Sequence, residues 1–230
     1  MAMTADFPAA IERVQARIDQ ACASAGRSPD DVQLIAVSKA HPEEAVRAAY
    51  AAGLRVFGEN YAQELGRKAE ALSDLEGIRW RFIGHLQRNK IKLIERADAS
   101  VDTVDSARLA EAISARATSR GTSVELLLQV NVGREPQKSG CLPEALPHLV
   151  ESVRSLPNVV LAGLMTVAPH SADPMEARPV FAELRQLAEA HSLSELSMGM
   201  THDLEAAVME GATMLRVGTA LFGPRPSLER

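Results

Sequence analysis

Lys39 is the first residue of this sequence whose type and position together indicate chemistry. It directly follows residues 34–38, a short apolar segment that is typical of a buried strand. A lysine amine in a desolvated site has a lowered pKa, and its free lone pair can form an imine with a carbonyl compound. The alternative is a lysine that extends into water where a strand ends. Position alone leaves both interpretations open.

Arg216 lies inside a second apolar segment, residues 214–218. A buried guanidinium without a partner carries a large free-energy penalty, so this arginine must find an acceptor or point outward beneath neighbouring helices. One possible acceptor is the carboxylate of a structural ion pair. The functional interpretation is that Arg216 donates to a bound ligand.

Two nearby segments have the composition of a phosphate site. Gly218-Thr219-Ala220 follows the segment that contains Arg216, and Gly199-Met200-Thr201 ends the preceding apolar segment. Backbone N–H groups in such loops point at an anion, a glycine lets the backbone approach closely, and the threonine hydroxyls add donors. The alternative role of Thr201 is to N-cap a helix that begins near residue 203.

The elements that must position these residues alternate between strand and helix. The predicted strands are residues 32–38, 55–60, 79–84, 101–104, 124–132, 159–167, 196–200 and 214–217. The predicted helices are residues 8–24, 41–53, 61–73, 87–97, 106–120, 143–155, a segment after 173 and 203–210. Asp173-Pro174-Met175-Glu176 predicts a capping box with proline at the first helical position.

Eight strands alternating with helices favour an α/β fold, and specifically a single TIM-like (β/α)8 barrel with an extra N-terminal helix. An open doubly wound sheet usually has a glycine-rich fingerprint after its first strand, whereas here that place holds Ser38-Lys39-Ala40. We expect one domain over residues 1–230. The longest connection, residues 133–142, is expected to form a mobile flap.

A barrel of this kind places its active site at the carboxyl ends of its strands. That rule selects the candidates for chemistry without reference to any family. They are Lys39, Asn60, His85, Asn131, Met165, Thr166, Met200, Thr201 and residues 216–219.

Composition excludes several classes of function. The chain is 46 % hydrophobic and 24 % charged with a net charge of −5, which disfavours nucleic acid as the main partner. We expect no membrane span, no secretory signal and no zinc site. Cys22 and Cys141 have no metal spacing, and we expect reduced thiols in a cytoplasmic protein.

Seven short stretches, in order along nearly the whole chain, match the motifs of one known family. They are Leu34-Ile35-Ala36-Val37-Ser38-Lys39, Phe57-Gly58-Glu59-Asn60-Tyr61, Phe82-Ile83-Gly84-His85-Leu86-Gln87, Lys138-Ser139-Gly140, Gly163-Leu164-Met165-Thr166, Leu196-Ser197-Met198-Gly199-Met200 and Arg216-Val217-Gly218-Thr219-Ala220-Leu221-Phe222-Gly223. In them the sequence resembles the pyridoxal phosphate homeostasis proteins, relatives of the alanine racemase N-terminal barrel (PLP fold type III).

The resemblance implies pyridoxal 5′-phosphate (PLP) as cofactor, held as a Schiff base on Lys39. It implies a phosphate near Thr201, Gly218 and Thr219, and Arg216 facing the pyridine nitrogen. It further implies Asn60 beside the ring, with His85 and Met165 in its neighbourhood. The family usually has serine where this chain has Thr201, and threonine keeps the hydroxyl. His202, beside it, adds a titratable group.

The residues favour a PLP carrier over an enzyme. Arg216, permanently cationic, would favour a neutral pyridine nitrogen and therefore a weaker electron sink than an acid at that place. A racemase also needs a second acid or base, which in the related racemases is a tyrosine of a separate C-terminal domain. This chain has two tyrosines, and Tyr50 is expected on a helix exterior.

We therefore expect a protein without strong catalytic activity that buffers PLP or delivers it to apo PLP-dependent enzymes, and acts as a monomer. One rival is a monomeric amino-acid racemase that uses His85 or a water as second base. Another is a sugar-phosphate isomerase that uses Lys39 as a base without a cofactor. Lys138 is a candidate for a role in transfer by position, and the alternative is a solvated loop lysine.

Overall fold

The computed structural model describes residues 6–224. Eight parallel strands form a closed barrel in which each strand pairs with the next and the last pairs with the first. The strands are Gln33–Val37 (β1), Val56–Glu59 (β2), Arg79–Phe82 (β3), Ser100–Val104 (β4), Val124–Gln129 (β5), Val159–Met165 (β6), Glu195–Met200 (β7) and Met214–Val217 (β8). The predicted TIM-like barrel is confirmed.

Helices surround the barrel and connect its strands. They are Phe7–Ala25 (α1), Glu43–Ala51 (α2), Ala62–Ala71 (α3), Ile91–Arg96 (α4), Ala107–Arg120 (α5), Leu146–Arg154 (α6), Arg178–Ala190 (α7), Leu204–Met209 (α8) and Thr219–Phe222 (α9). Within residues 6–224, no helix combines the length and apolar character needed to cross a bilayer.

The predicted N-terminal helix is α1, and its sequence explains both of its ends. The Asp6 carboxylate accepts a hydrogen bond from the N–H of Ala9, and Gly26 ends the helix in the left-handed conformation. Its buried face includes Val14 and Ile18 and packs against α8 and α9. Arg17 on the same helix forms an ion pair with Glu205 of α8. The extra helix therefore supports the segments that follow β7 and β8.

The barrel core has two parts. Most apolar side chains fill the layer between the strands and the helices, as hydrophobic burial requires. A small separate cluster is formed by Ile35, Val56, Leu127, Met165 and Met214 of β1, β2, β5, β6 and β8. Because these strands lie on different sides of the closed barrel, their side chains meet in its interior.

Two local predictions were wrong. The fifth strand ends at Gln129, not 132, because Cys141 returns beside it: the Cys141 N–H donates to the Gln129 carbonyl, and the Asn131 N–H donates to the Cys141 carbonyl. The reciprocal capping box at 173–176 does not form. Asp173 caps a 3-10 turn through the Met175 N–H, while the Glu176 carboxylate accepts from the Ser171 hydroxyl.

Candidate functional site

Lys39 occupies a tight turn at the carboxyl end of β1. The His41 N–H donates to the Ser38 carbonyl over 3.1 Å, which closes a four-residue turn with Lys39 in its second position. Ala40, in the third position, has φ of +64°, a left-handed conformation that costs a non-glycine residue about 1 kcal/mol or more. The backbone beside Lys39 is therefore strained, and the surrounding structure must hold it in place.

A buried ionic network, here called the Lys68 network (Ser38, Glu59, Glu64 and Lys68), lies directly behind this turn. The Lys68 ammonium donates to the Ser38 carbonyl (2.7 Å) and to the Oε1 atoms of Glu59 (2.6 Å) and Glu64 (2.8 Å). Burial raises the pKa of Glu59 above its ordinary value, although the neighbouring Lys68 charge opposes this. Sequence reasoning missed this network. The sequence feature that indicates it is Lys68 itself, a lysine that lies on the apolar face of α3 in helical register with Leu65 and Leu72.

Asn60 lies at the same height as Lys39 on the neighbouring strand. The register of β1 and β2 pairs Val37 with Gly58, so the residues two positions further along each chain are neighbours at the rim. The Asn60 Oδ1 atom is buried and has no hydrogen-bond partner among residues 6–224. Buried polar atoms are nearly always paired, so this acceptor indicates a missing donor from water or a ligand.

A cavity of about 210 Å³ opens at this rim. It is lined by three of the predicted site residues, Asn60, His85 and Met165. Asn131, Lys138, Gln129 and Thr103 also line it. The structure thus brings together residues that follow β2, β3, β5 and β6, which are far apart in the sequence.

Arg216 is buried, with 4 % of its surface exposed, and its guanidinium lies in the barrel interior. It donates to the Ser197 hydroxyl (2.9 Å) and to the Thr166 carbonyl (2.8 Å). Burial lowers the pKa of Arg216, and the negative charges on Asp102 and Asp203 oppose this. The outward orientation left open by the sequence is therefore wrong.

Arg216 belongs to a second buried network, the barrel-interior network (Arg81, Asp102, Ser197 and Arg216). The Arg81 Nε atom donates to both Asp102 oxygens at 3.0 and 3.1 Å, and the Ser197 hydroxyl donates to Asp102 at 3.3 Å. Asp102 therefore reaches Arg216 through Ser197. The carboxylate that the sequence allowed as a structural partner is therefore Asp102, which Arg216 reaches through the Ser197 hydroxyl. The role of Arg216 as a donor to a bound ligand stays a prediction.

The segment after β8 approaches β1 closely at Gly218. A Cβ atom placed there would lie 3.4 Å from the Val37 carbonyl oxygen, so an added methyl group would fill this gap without a severe clash. Thr219, exposed, begins α9. The register of β1 and β8 pairs Ala36 with Val217, which places Gly218 and Thr219 beside the strand end that carries Lys39.

Thr201 lies in the turn between β7 and α8. Its predicted alternative role as an N-cap is wrong, because Asp203 precedes α8 and its carboxylate accepts from the Met200 N–H over 2.6 Å. Arg17 of α1 donates to the Thr201 carbonyl. His202 contacts the loop after β6, with Nε2 3.1 Å from the Ser171 carbonyl oxygen.

The loop at 133–142, expected to be a mobile flap, is tied to the rim by several contacts. Lys138 forms an ion pair with Glu135 and donates to the carbonyls of Val167 and Ala168. The Asn131 side chain bonds the backbone of Glu135 in both directions. Lys138 is therefore a partly buried residue of the rim, and not a fully solvated loop lysine.

A larger cavity, about 350 Å³, lies at the opposite end of the barrel, where the strands begin. Arg81, Trp80 and Glu125 are among its lining residues. Volume alone would favour it over the rim cavity, but chemistry in this fold occurs at the carboxyl ends of the strands, and the orphaned Asn60 acceptor lies there. The rim cavity is the candidate site.

No group of histidine, cysteine, aspartate and glutamate side chains within 6–224 is arranged to hold a metal ion. Cys22 and Cys141 are unbridged. Burial raises the pKa of the Cys141 thiol to about 11, so this thiol is protonated at neutral pH.

Comparison with known proteins gives a consistent result. The family model described as "Alanine racemase, N-terminal domain" matches residues 10–226. A pyridoxal phosphate homeostasis protein of Pseudomonas aeruginosa is 49 % identical over 218 residues, with 94 % of each chain covered. One from Aquifex aeolicus is 43 % identical over 221 residues, which cover 94 % of this chain and 96 % of the relative.

Two solved structures are also similar to this chain. PipY of Synechococcus elongatus with PLP bound superposes with a TM-score of 0.76 at 42 % identity, covering 90 % of this chain and all of PipY. Alanine racemase of Clostridium difficile gives a TM-score of 0.70 at 15 % identity, covering 93 % of this chain and 56 % of the racemase. The second likeness concerns the fold alone.

Proposed function

The chain belongs to the pyridoxal phosphate homeostasis proteins of the alanine racemase N-terminal domain family, and we propose that it holds PLP as a Schiff base on Lys39 and buffers or delivers the cofactor. The observation that carries the proposal is the convergence of Lys39, Asn60 and residues 216–219 at neighbouring strand ends. In this linkage the Lys39 amine nitrogen bonds to the aldehyde carbon of PLP with loss of one water molecule.

The residues present fit PLP. The buried Asn60 Oδ1 atom needs a donor, and Arg216 brings a fixed positive charge to the interior side of the rim. Gly218 leaves the space beside Val37 that a side chain would fill. Asn60 would thus match the polar edge of the PLP ring, and Arg216 would match the ring nitrogen. The close approach of the backbone at Gly218 would match a phosphate that N–H groups bind.

We assign the residues as follows. Lys39 forms the covalent bond. Thr201, Gly218 and Thr219 bind the phosphate, Arg216 faces the pyridine nitrogen, and Asn60, His85 and Met165 border the ring. When bound, PLP withdraws electrons from a carbon next to its imine nitrogen. Arg216 donates hydrogen bonds and does not supply a proton, so it leaves this withdrawal weak.

The positions of the two tyrosines support a carrier. The Tyr50 hydroxyl donates to the Glu76 carbonyl, on the outside of the barrel beside α2. Tyr61 is 60 % exposed at the start of α3. Tyr50 is therefore held on the outside of the barrel and Tyr61 extends into water, so neither is fixed at the site as the second acid or base that a racemase needs.

One observation favours a second candidate function, a monomeric PLP-dependent amino-acid racemase. His85 lines the same cavity as Asn60, and histidine is the side chain most often used as a general base. It could therefore serve as the second base. Family membership gives no support to a cofactor-free sugar-phosphate isomerase.

We further propose that the chain forms one domain, acts as a monomer and works in the cytoplasm. The two unbridged thiols support a reducing compartment. Light scattering of the purified protein tests the monomer.

The visible imine absorbance of the protein loaded with PLP tests the attachment. We expect a band that borohydride bleaches, leaving PLP fixed to the peptide that contains Lys39, and no such band in Lys39→Ala. Lys138→Ala is the matched control, because its amine reaches the same rim and its band should persist. A band that survives in Lys39→Ala and disappears in Lys138→Ala would show that PLP is attached to Lys138 and not to Lys39.

Delivery is tested by mixing the loaded protein with an apo PLP-dependent enzyme. We expect recovery of that enzyme's activity, and no rapid racemisation or decarboxylation of amino acids by the loaded protein itself. Rapid racemisation that is lost in His85→Ala would favour the racemase instead. Gly218→Ala tests the phosphate site: the added methyl should weaken PLP binding roughly tenfold, equivalent to about 1.4 kcal/mol, with unchanged folding.

A further inference from the structure

Lys68 takes no part in the proposed cofactor chemistry, yet it is fully buried, with 0 % of its surface exposed. It extends from α3 toward the end of β1, outside the barrel wall. Its three acceptors are two carboxylates and the Ser38 carbonyl. Burial of an ammonium group has a desolvation cost, which these acceptors must offset.

The acceptors of Lys68 lie on both sides of Lys39. On one side, Lys68 bonds the Ser38 carbonyl directly, and the Ser38 hydroxyl donates to Glu59 over 2.6 Å. On the other side, the Ala40 N–H donates to Glu64 over 2.8 Å, and the same Glu64 oxygen accepts from Lys68. The two peptide groups that flank Lys39 are therefore connected through one ammonium group.

The connection restrains the strained backbone at Ala40. A left-handed alanine relaxes unless its neighbours fix it, and relaxation would rotate the Lys39 side chain relative to the rim. The turn hydrogen bond from His41 to Ser38 is one such restraint. The Lys68 network is a second restraint, anchored on α3 through Glu64 and on β2 through Glu59.

Stability alone is a weak reason for such a network. A buried ion pair can often be replaced by apolar residues of similar volume with no loss of stability. The buried faces of two other helices of this barrel are apolar, and they include Leu184 of α7 and Leu149 of α6. What an apolar residue cannot do is bond the Ser38 carbonyl and orient Glu64 toward Ala40.

We propose that Lys68, acting with Glu59 and Glu64, is a positioning residue that fixes the Ser38–Ala40 backbone and so presents the Lys39 amine to the aldehyde of PLP. The inference rests on the proposed attachment at Lys39. It assigns no contact between Lys68 and the cofactor. A displacement of about 1 Å at a reacting group can slow a reaction roughly a hundredfold, so loss of this restraint should be measurable.

The test compares Lys68→Met with the double variant Glu59→Gln/Lys68→Met. The single variant keeps the volume but leaves Glu59 buried without its cation, and it risks poor folding. The double variant removes both charges, so we expect a melting temperature near that of the wild type. Lys92→Met, on the exposed side of α4, is the control for loss of one positive charge.

Two readouts are taken for each apo protein: the rate at which the imine band appears on addition of PLP, and the PLP dissociation constant. In the double variant we expect imine formation slowed roughly tenfold to a hundredfold and weaker binding, with the melting temperature retained. Lys92→Met should match the wild type in all three measurements. Amide hydrogen exchange of the apo double variant should be faster at Ala40.

A well-folded double variant that forms the imine at the wild-type rate would overturn the positioning role while leaving Lys39 as the attachment site. Equal slowing in Lys92→Met would also overturn it, because net charge would then be the cause. If Lys39→Ala retains the imine band, the proposed attachment itself fails. The two failures are therefore distinguishable.

Discussion

The two buried networks of this barrel lie on opposite sides of its wall and act on different parts of the chain. The barrel-interior network connects charged side chains across the inside of the barrel and ends at Arg216. The Lys68 network lies outside the wall, between β1, β2 and α3, and ends on the backbone around Lys39. The barrel-interior network places the positive charge of Arg216, whereas the Lys68 network fixes the position of the backbone around Lys39.

The difference shows why the two networks need different chemistry. A permanent cation deep in the barrel requires a nearby negative charge, and Asp102 supplies it. A strained turn requires donors and acceptors that match its peptide groups, and a flexible ammonium with three N–H donors can bond a carbonyl and two carboxylates at once. The first network is dominated by charge and the second by hydrogen-bond geometry.

The largest effect is expected from Asp102→Asn, which removes the negative charge of the barrel-interior network. Arg216 then loses the buried charge of Asp102, and Arg81 keeps only its ion pair with the partly exposed Glu125, so the free energy of unfolding should fall by roughly 3–5 kcal/mol. Urea unfolding measures this loss. Asp98→Asn, at an exposed position with positive φ that asparagine accepts, is the control and should leave stability unchanged.

Lys68→Met should have a smaller effect on stability that depends on pH. Burial already raises the folded-state pKa of Glu59, so this group's contribution is complete below its unfolded-state pKa and is lost as pH rises through the folded-state value. Removing Lys68 takes away the opposing charge and enlarges this loss. We expect near wild-type stability at about pH 4.3 and a deficit of roughly 3 kcal/mol at neutral pH.

Urea midpoints measured across this pH range test the interpretation. Adding Glu59→Gln should abolish the pH-dependent part of the deficit, since Glu59 can then no longer titrate. A deficit of equal size at every pH would show that lost packing, and not the Glu59 charge, is responsible.

Ser197→Ala should have a moderate effect. It removes the hydroxyl that connects Asp102 to Arg216 and leaves one buried Arg216 donor without its acceptor, which costs about 1–2 kcal/mol. Ser197→Cys keeps a similar volume and a weaker acceptor, so it should lie between alanine and wild type. Unfolding of the three proteins under the same conditions measures the order.

The smallest effect is expected from Arg47→Met, which breaks an ion pair outside both networks. Arg47 and Asp74 bond at 2.6 Å, but both side chains are largely exposed to water. Exposed pairs contribute little to stability and are screened by salt. The urea midpoint should therefore not move beyond experimental error, and a large shift would mean that burial is not what separates the two networks from the surface.

Much of the fold could be predicted from local sequence patterns. Apolar runs and caps locate all eight strands and the N-terminal helix, because burial and capping depend on residues close in the chain. The errors fall where a residue outside the local pattern takes a hydrogen-bond partner. Cys141 ends β5 early by occupying the edge beside Gln129, and Ser171 takes the carboxylate that would have completed a capping box at Asp173.

The sequence by itself determined the barrel, the strand ends that carry Lys39, Asn60 and Arg216, and the family. Each of these follows from local hydrophobic patterning or from motifs of neighbouring residues. Only the tertiary structure decided that Arg216 turns inward to Ser197 and that Lys68 holds the Lys39 turn. Their partners lie 19 and 30 positions away, and pairing at such distances depends on how the barrel closes and on how α3 packs against it.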